Sequence, residues 1–464
     1  GETNFIKRLV GLPGEVLVIL DGDIYTAPID EIERTKPELI AQLESLREEV
    51  YQHRGGGGHA AGESITERYR KLNEELLPFL KIQRKWPEAI RAQQSLWSNV
   101  YNHDFLPNPD KSRVCWMPDG PSAKRAWDTS KREISFDSDS EDYLHIYFAG
   151  KRISDFYAYN RDDRFDSEQL GYRAGRHASH NQPYQPVGDL RLRFTWFPEA
   201  GSGGIKLAMN RDRDRFVAEI GVDGSVTVTG YQPDAGLAGG KQIIGQDGKA
   251  VKLPPFYASQ PVKIEFLNVD YQVALVIDDQ PVVVSTDEQY APSIAKLKKI
   301  LQQPKDSPNA ESLVEHSNVI ISARDLKCRI RHLVLERDIY YLSDFQKDSA
   351  SGPGPNPYVG WPGWGTAGHP IMLRRERTVE DGRRILPAEY FMLGDNSPGS
   401  FDSRFWWVVG PHLKHQGNDY QVGTVPEDQL IGRAFFVYWP AGYRSPLTGG
   451  IGLVPNVGQM RWIR

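Results

Sequence analysis

The sequence predicts a mainly β protein in which one all-β domain, built from both ends of the chain, is interrupted by helices and an antiparallel β-sandwich. Three observations support this fold class: strands and tight turns at the N-terminus, helical stripes after residue 31, and a long series of alternating strands after residue 106. The predicted units are 1–30 with 385–464 (discontinuous domain), 31–105 (helical insertion), 106–342 (sandwich insertion) and 343–384 (Pro/Gly-rich connector).

The composition excludes several classes of protein. Of 464 residues, 39% are hydrophobic and 25% charged, which is typical of globular chains. The net charge of −5 gives no general attraction to nucleic acid, so no nucleic-acid partner is expected. Two cysteines exclude a disulfide-dense scaffold and a four-cysteine metal site. No apolar run reaches the ~18 residues that span a bilayer, so the chain as given is expected to be soluble.

The first residues have the pattern of strands joined by tight turns. The apolar run 5–10 precedes a Gly-Leu-Pro-Gly turn at 11–14. A second apolar run, 15–20, is followed by Asp21-Gly22 and a return strand at 23–25. An Asp-Gly pair between apolar runs is a strong hairpin signal, so this segment predicts a β-hairpin.

Residues 31–105 carry helical signals. The sequence from Thr35 to Glu38 has the spacing of a capping box, and Leu39, Leu43, Leu46 and Val50 follow at helical spacing. After the glycines at 55–58, a second capping box at 64–67 precedes Tyr69, Leu72 and Leu76. Ile90, Leu96, Trp97 and Val100 indicate a third helix.

From residue 106 the period changes to two, which indicates strands. Alternation is clearest at 191–197, 216–220, 226–228, 262–266 and 271–277, with Gly, Asp and Asn turns between the strands. This pattern resembles the concanavalin A-like or laminin-G-like jelly roll. The Pro/Gly-rich stretch 351–369 that follows predicts an extended loop.

The two cysteines lie near the ends of the sandwich. Cys115 is close to its start and Cys328 is close to its last strand. First and last strands of such sandwiches are often neighbours, so a Cys115–Cys328 disulfide is one interpretation. Two separate buried thiols are the other.

Two passages at opposite ends of the chain resemble one enzyme family. They are FIKRLVGLPG at 5–14 and YFMLGDNSPGSFDSR at 390–404, the second followed by VPEDQLIGRA at 425–434. Together they resemble the type I signal peptidases (S26-like), which are membrane-bound serine proteases with a Ser-Lys dyad. The resemblance covers residues 1–30 and 385–440, so the intervening helices and concanavalin A-like sandwich are predicted to be one large insertion.

Lys7 is the candidate general base. On a strand, Phe5, Lys7 and Leu9 share one face, so Lys7 sits between apolar neighbours. Burial of that face would lower the pKa of the amine, and a neutral lysine can take a proton from a serine hydroxyl. By resemblance, Lys7 matches the catalytic lysine of the family. The alternative is a strand lysine that faces solvent.

The resemblance assigns further roles in the second passage. Ser400 matches the serine that orients the lysine, and Asp402 and Arg404 match a structural ion pair beside the site. Asp395 and Asn396 match supporting residues. The alternative is an ordinary turn, since Asp, Asn, Ser, Pro and Gly all favour turns.

The nucleophilic serine of the family lies upstream of the lysine strand, in a block of the type Ser-Met-x-Pro-Thr. No Ser-Met pair occurs in this sequence. We therefore expect the chain as given to be an inactive, N-terminally truncated form, without the nucleophile and without the membrane anchor. It should also lack a central strand, which would expose a sheet edge.

The resemblance implies amide hydrolysis through an acyl-enzyme. The substrates would be secretory precursors with small residues at the cleavage site, and no metal or organic cofactor is implied. It places the protein at the bacterial cytoplasmic membrane, with the catalytic domain on the exoplasmic or periplasmic side. The alternative function is a non-catalytic exoplasmic module that binds a glycan or protein through the sandwich. The two differ in one spatial requirement: the peptidase needs Lys7 and Ser400 within hydrogen-bonding range.

Overall fold

The computed structural model describes most of the chain. The described residues are 5–52, 59–84, 97–105, 114–148, 153, 187–233, 241–245, 247–302, 319–342, 363–378, 385–395, 397, 400–434, 436–437 and 461–462. The structural statements below concern these residues.

The fold class predicted from the sequence is confirmed, because the chain is mainly β and its sheets are antiparallel. The early strands are β1 Arg8–Gly11, β2 Glu15–Leu20, β3 Asp23–Pro28 and β4 Lys81–Ile82. The sandwich strands are β5 Ser98–Asn102, β6 Val114–Pro118, β7 Trp127–Asp128, β8 Ile134–Ser138, β9 Asp142–Phe148, β10 Leu190–Arg211, β11 Asp214–Gly221, β12 Ser225–Tyr231, β13 Lys241–Ile244, β14 Val251–Lys252, β15 Val262–Val269, β16 Gln272–Ile277, β17 Gln280–Val284 and β18 Val319–Arg337. The late strands are β19 Ile371–Leu373, β20 Arg377–Thr378, β21 Ile385–Leu386, β22 Glu389–Leu393, β23 Val425–Pro426, β24 Phe436–Val437 and β25 Arg461–Trp462.

Helices are fewer than strands. They are α1 Ile29–Thr35, α2 Pro37–Gln52, α3 His59–Leu76, α4 Ala123–Ala126 and α5 Ile294–Gln302. Short 3₁₀ turns lie at His103–Phe105, Ser403–Phe405, Pro411–Asp419 and Glu427–Gln429. No helix among the described residues is long and apolar enough to cross a lipid bilayer.

Strands from the two ends of the chain pair with one another in the same sheets. Strand β1 pairs with β22, and β22 pairs with β23, all antiparallel. A second sheet has the order β19-β2-β3-β4. The hairpin predicted at Asp21-Gly22 is confirmed, because β2 and β3 pair directly across this turn and both turn residues have positive φ.

The helices pack on this hairpin. The predicted stripe residues Leu39, Leu43 and Leu46 of α2 are buried in one cluster with the strand residues Leu17 and Val18. Helix α2 begins at Pro37, close to the predicted start, but the predicted capping box is not formed. Thr35 is the last residue of α1, and its Oγ1 donates to the carbonyl oxygen of Glu31 at 3.0 Å. Helix α3 begins earlier than predicted, at His59 instead of near residue 64.

The sandwich is built around two long strands, β10 and β18, which pair along most of their length. The first half of β10 also pairs with β15, and its second half pairs with β11. The register shifts near Gly201–Gly204, where a Cβ at Gly203 would collide with the carbonyl oxygen of Arg324. This close approach lets both strands bend from one layer of the sandwich into the other around a single core.

One sequence expectation needs correction here, and one choice is decided. Val100, a member of the predicted third helix, lies on strand β5 and is buried in the sandwich core, whereas Ile90 and Leu96 lie outside the described residues. Most of the predicted loop 351–369 also lies outside them, and strand β19, which pairs with β2, follows it. Of the two interpretations of the cysteines, the disulfide is not formed, because Cys328 is a free, buried thiol. The reason is topological, because Cys328 lies between β8 and β10 while Cys115 pairs with β9.

Candidate catalytic site

The lysine and the serine singled out at opposite ends of the sequence meet in space. Lys7 Nζ donates a hydrogen bond to Ser400 Oγ at 2.9 Å, across a separation of 393 residues. The pairing of β1 with β22 brings them together, because Arg8 lies opposite Leu393 and Lys7 therefore reaches the loop that follows β22.

Gly394 permits this approach. A Cβ at this position would collide with Ser400 Oγ and lie 3.2 Å from Lys7 Nζ. Glycine is thus required here by space, since any side chain would push the hydroxyl or the amine away. The sequence pattern contained this glycine, but sequence reasoning gave it no role.

The pKa of Lys7 is lowered, and burial of the amine is the largest cause. Arg404 lowers it further, while Asp402 and Asp395 act in the opposite direction. The burial has two sources. The loop with Gly394 and Ser400 lies against the amine, and the ring of Phe5, one of the two neighbours named from the sequence, has its centroid 5.9 Å from Nζ. Phe5 and Leu9 are themselves 62% and 41% exposed, so this face is only partly covered.

Asp402 and Arg404 form a fully buried ion pair. Arg404 Nε donates to Asp402 Oδ1 at 2.9 Å and Nη2 to Asp402 Oδ2 at 2.7 Å. Asp402 also accepts from the backbone N–H of Gly394 at 2.9 Å. The pair therefore holds the backbone at Gly394, beside which Lys7 and Ser400 meet.

The remaining N–H groups of Arg404 tie the loop to the end of the sandwich segment. Nη1 donates to the carbonyl oxygen of Leu342 and to Ser397 Oγ, both at 2.9 Å. Nη2 donates to the carbonyl oxygen of Ser397 at 3.3 Å. Ser397 Oγ in turn accepts from the N–H of Leu342 at 2.9 Å. All five N–H donors of the guanidinium thus have acceptors, as a buried charge requires.

Sequence reasoning missed two serines of this network. Ser397 was interpreted as a turn residue, yet it bridges Arg404 and Leu342. Ser403 was interpreted in the same way, yet its Oγ accepts from the N–H of Met392 at 3.0 Å and so fastens the 3₁₀ turn to β22. The close spacing of hydroxyl residues around one Asp and one Arg was the available signal.

Asp395 lies at the rim of the site. Its carboxylate accepts two hydrogen bonds from Arg8, both at 2.9 Å, and the aspartate side chain is 54% exposed. This exposed pair links β1 to the loop after β22. Asn396, the other supporting residue proposed from the sequence, lies outside the described residues.

The arrangement can do base chemistry. A half-buried amine with a lowered pKa is held by a neutral hydroxyl, so it can lose its proton more easily than an exposed lysine. Among the described residues, the carboxylates close enough to share a metal ion lie elsewhere, at Asp23, Asp189 and Asp270.

Comparisons with known proteins match the C-terminal part of this site. Residues 356–439 match the family model described as "Signal peptidase, peptidase S26". Signal peptidase I of Pseudomonas fluorescens is 37% identical over 87 residues, which cover 18% of this chain and 28% of that protein. Signal peptidase I of Buchnera aphidicola is 35% identical over 77 residues, which cover 14% of this chain and 19% of that protein. The chain thus spans less than a third of either relative.

Among solved structures, the carbohydrate binding module CBM66 from Bacillus subtilis covers 48% of this chain and 94% of its own, at 10% identity and a TM-score of 0.26. The galectin LEC-6 of Caenorhabditis elegans covers 32% of this chain and 82% of its own, at 13% identity and a TM-score of 0.19. The similarity to signal peptidases rests on the sequence matches alone and concerns one region of the chain. The chain contains a signal-peptidase-like region of the S26 type.

Proposed function

We propose that this chain is the lysine-bearing part of a serine endopeptidase that removes signal peptides, with Lys7 as general base and Ser400 as the residue that orients it. The observation that carries the proposal is the 2.9 Å hydrogen bond between the two side chains, at an amine whose pKa burial lowers. The S26-type match over residues 356–439 supports the same activity.

In this proposal the nucleophile is a serine from a segment that this sequence does not include, because it has no Ser-Met block. Neutral Lys7 takes the proton of that serine as its oxygen attacks the substrate carbonyl carbon. The lysine then returns the proton to the leaving amine, so the mature protein departs with its new N-terminus and the signal peptide stays on the serine as an acyl-enzyme. Water, deprotonated by the same lysine, hydrolyses the ester, which releases the signal peptide and restores the serine hydroxyl. Ser400 keeps the amine directed toward the attack position without adding charge.

The proposed substrates are secretory precursors with small residues before the scissile bond. The sheet geometry suits an extended substrate, since β1 is an edge strand of its sheet within the described residues. The proposed location is the exoplasmic side of the bacterial cytoplasmic membrane, reached through an anchor outside this sequence.

The test has two parts. NMR titration of the chain with ¹³C-labelled lysines measures the pKa of Lys7, which we expect below the ordinary value of 10.5. Cleavage of a precursor peptide is then assayed after the natural upstream segment has been joined to the chain. Lys7→Met should abolish cleavage, and Ser400→Ala should lower kcat by about 10²-fold or more with a smaller change in KM.

Lys263→Met is the matched control, because Lys263 is an exposed lysine on the sandwich, paired with Asp279 at 2.7 Å. It should leave cleavage unchanged. Full activity of the Lys7→Met variant, or an ordinary lysine pKa at Lys7, would rule out the proposed role.

A second candidate function is glycan binding by the sandwich. One row of outward-facing residues crosses four strands in register, and its members are Tyr143, Ser322, Lys206 and Glu219. Tyr143 is 40% exposed, and Lys206 Nζ lies 3.1 Å from Glu141 and 3.7 Å from Glu219. An exposed aromatic ring beside fixed charged hydrogen-bonding groups suits a sugar, which offers both an apolar ring face and hydroxyls.

A glycan array with the chain tests this candidate. Tyr143→Ala should abolish any binding, whereas Tyr257→Ala, which removes a tyrosine that is 67% exposed elsewhere on the sandwich, should not. An equal loss in both variants, or no bound glycan, would argue against this function.

A further inference from the structure

A buried group of carboxylates lies where the β2–β3 hairpin meets the sandwich. Asp23 belongs to the start of β3, Asp189 precedes β10, and Asp270 lies in the turn between β15 and β16. The carboxylates offer oxygens that all lie within 4.8 Å of one another. Each residue is at most 6% exposed. The group therefore joins two parts of the molecule that are far apart in sequence.

Arg211 supplies one positive charge to this group. Its Nη2 donates to Asp23 Oδ2 at 2.5 Å, and its Nη1 donates to Asp189 Oδ1. The guanidinium also lies over the ring of Tyr271, 3.9 Å from the ring centroid. One guanidinium neutralises at most one carboxylate, and it uses one oxygen of each of two aspartates.

The group is bordered by a buried tyrosine hydroxyl. Tyr25 lies two residues after Asp23 on β3, so the two side chains share one face of the strand. Tyr25 is 0% exposed, and its Oη makes no hydrogen bond within the part of the chain that the structure describes. A buried hydroxyl without a partner costs about 1–3 kcal/mol, which a ligand at this point would recover.

The donor set has the chemistry of a hard cation site. Ca²⁺ is a hard cation that takes oxygen ligands, carboxylates among them, at flexible coordination numbers of about six to eight with water completing the shell. We propose that Asp23, Asp189 and Asp270, with the hydroxyl of Tyr25, bind one Ca²⁺ ion at the junction of the hairpin and the sandwich.

Asp189 connects the members of the group. Its Oδ1 accepts from Arg211, and its Oδ2 accepts from the backbone N–H of Asp270 at 3.3 Å. Bound Ca²⁺ would then tie the tip of the β2–β3 hairpin to the sandwich.

Terbium luminescence tests the proposal directly. Tb³⁺ replaces Ca²⁺ and emits when nearby tyrosines are excited, and both Tyr25 and Tyr271 lie at the group. We expect saturable emission with one Tb³⁺ per chain, competed by Ca²⁺ more effectively than by Mg²⁺. The melting temperature should be higher in saturating Ca²⁺ than in EDTA by about 3 °C or more.

Asp270→Asn is the informative variant. Asp270 has a φ of +46°, a conformation that asparagine also adopts, so the backbone should be retained. We expect at least a tenfold loss of Tb³⁺ affinity and no Ca²⁺-dependent rise in melting temperature. Tyr25→Phe, which removes only the hydroxyl, should weaken binding less and provides a second measurement if the first variant misfolds.

Asp279→Asn is the matched control, because Asp279 also has a positive φ (+63°) but is exposed at the β16–β17 turn. It should bind Tb³⁺ like the parent chain. Equal melting temperatures in Ca²⁺ and EDTA would overturn the proposal, since Arg211 and protons would then suffice for the aspartates. Unchanged affinity in Asp270→Asn would overturn it as well.

Discussion

Replacement of Arg404 by methionine should open the loop that holds Ser400. Arg404 is fully buried, and each of its five N–H groups has an acceptor on Asp402, Ser397 or Leu342. Methionine fills much of the same volume but donates nothing. Asp402 would then remain a buried carboxylate that keeps only its backbone donors, the N–H groups of Gly394 and residue 404.

The magnitude follows from this geometry. Removal of one partner from a buried ion pair costs about 3–5 kcal/mol, because the other charge stays in a medium of low dielectric constant. A loss of about 3 kcal/mol increases the open fraction of a segment more than a hundredfold. The segment affected is the one between β22 and the 3₁₀ turn at Ser403–Phe405.

Hydrogen exchange with mass spectrometry measures this directly. Peptides that cover residues 389–405 should exchange at least a hundredfold faster in Arg404→Met, and the pKa of Lys7 should rise toward 10.5 as water reaches its amine. Arg8→Met is the matched control. It removes an arginine with two hydrogen bonds to Asp395 at the exposed rim, where a pair contributes about 0–1 kcal/mol.

Two results would refute this reasoning. One is an increase in exchange no larger in Arg404→Met than in Arg8→Met. The other concerns the pair itself: if Asp402→Leu combined with Arg404→Met exchanges as fast as Arg404→Met alone, the unpaired carboxylate is not the source of the cost.

Gly394→Ala should shift the pKa of Lys7 toward 10.5 and slow precursor cleavage, since a Cβ there collides with Ser400; lysine NMR on the variant checks this. Burial raises the pKa of Cys328 to about 12, so Ellman's reagent at about pH 8 should leave this thiol unmodified in the folded chain and modify it after denaturation. The pKa of Glu389 is raised by burial, so the folded chain holds that proton more tightly than the unfolded chain and stability falls as pH rises above about 4.5. Glu389→Gln should therefore raise the melting temperature near pH 7 relative to the parent chain and give no such gain near pH 4; equal gains would contradict this.

Local signals in the sequence were sufficient for the elements nearest the site. The Asp21-Gly22 turn between apolar runs predicts the β2–β3 hairpin because only a short primed turn fits that spacing. The stretch from Thr35 to Glu38 predicts the start of α2, where Pro37 loses no backbone hydrogen bond, although its capping box is not formed. The position of Lys7 beside Ser400 followed from resemblance, since no local pattern links residues so far apart.

Two features of the structure, strand β5 and the burial of Lys7, depend on contacts between residues that are far apart in the sequence. Trp97 and Val100 are spaced as on a helix, but residues 98–102 pair with β18, and a short apolar run fits either structure. The burial of Lys7 is predicted from its neighbours, and Phe5 does lie near the amine, but a loop almost four hundred residues away also covers it. Neither contact can be predicted from the local sequence, because both depend on where the large insertion leaves and rejoins the sheet.

The insertion ends beside the candidate site. The chain leaves the hairpin after β3, where Pro28 lies opposite Glu15 at the base of the hairpin. It returns at the tip of the same hairpin, where the N–H of Tyr341 donates to the carbonyl oxygen of Gly22 at 3.2 Å. The next residue, Leu342, then supplies both its N–H and its carbonyl oxygen to Ser397 and Arg404. The last residues of the inserted segment are therefore part of the support for Ser400, so folding of the sandwich and formation of the candidate site are coupled.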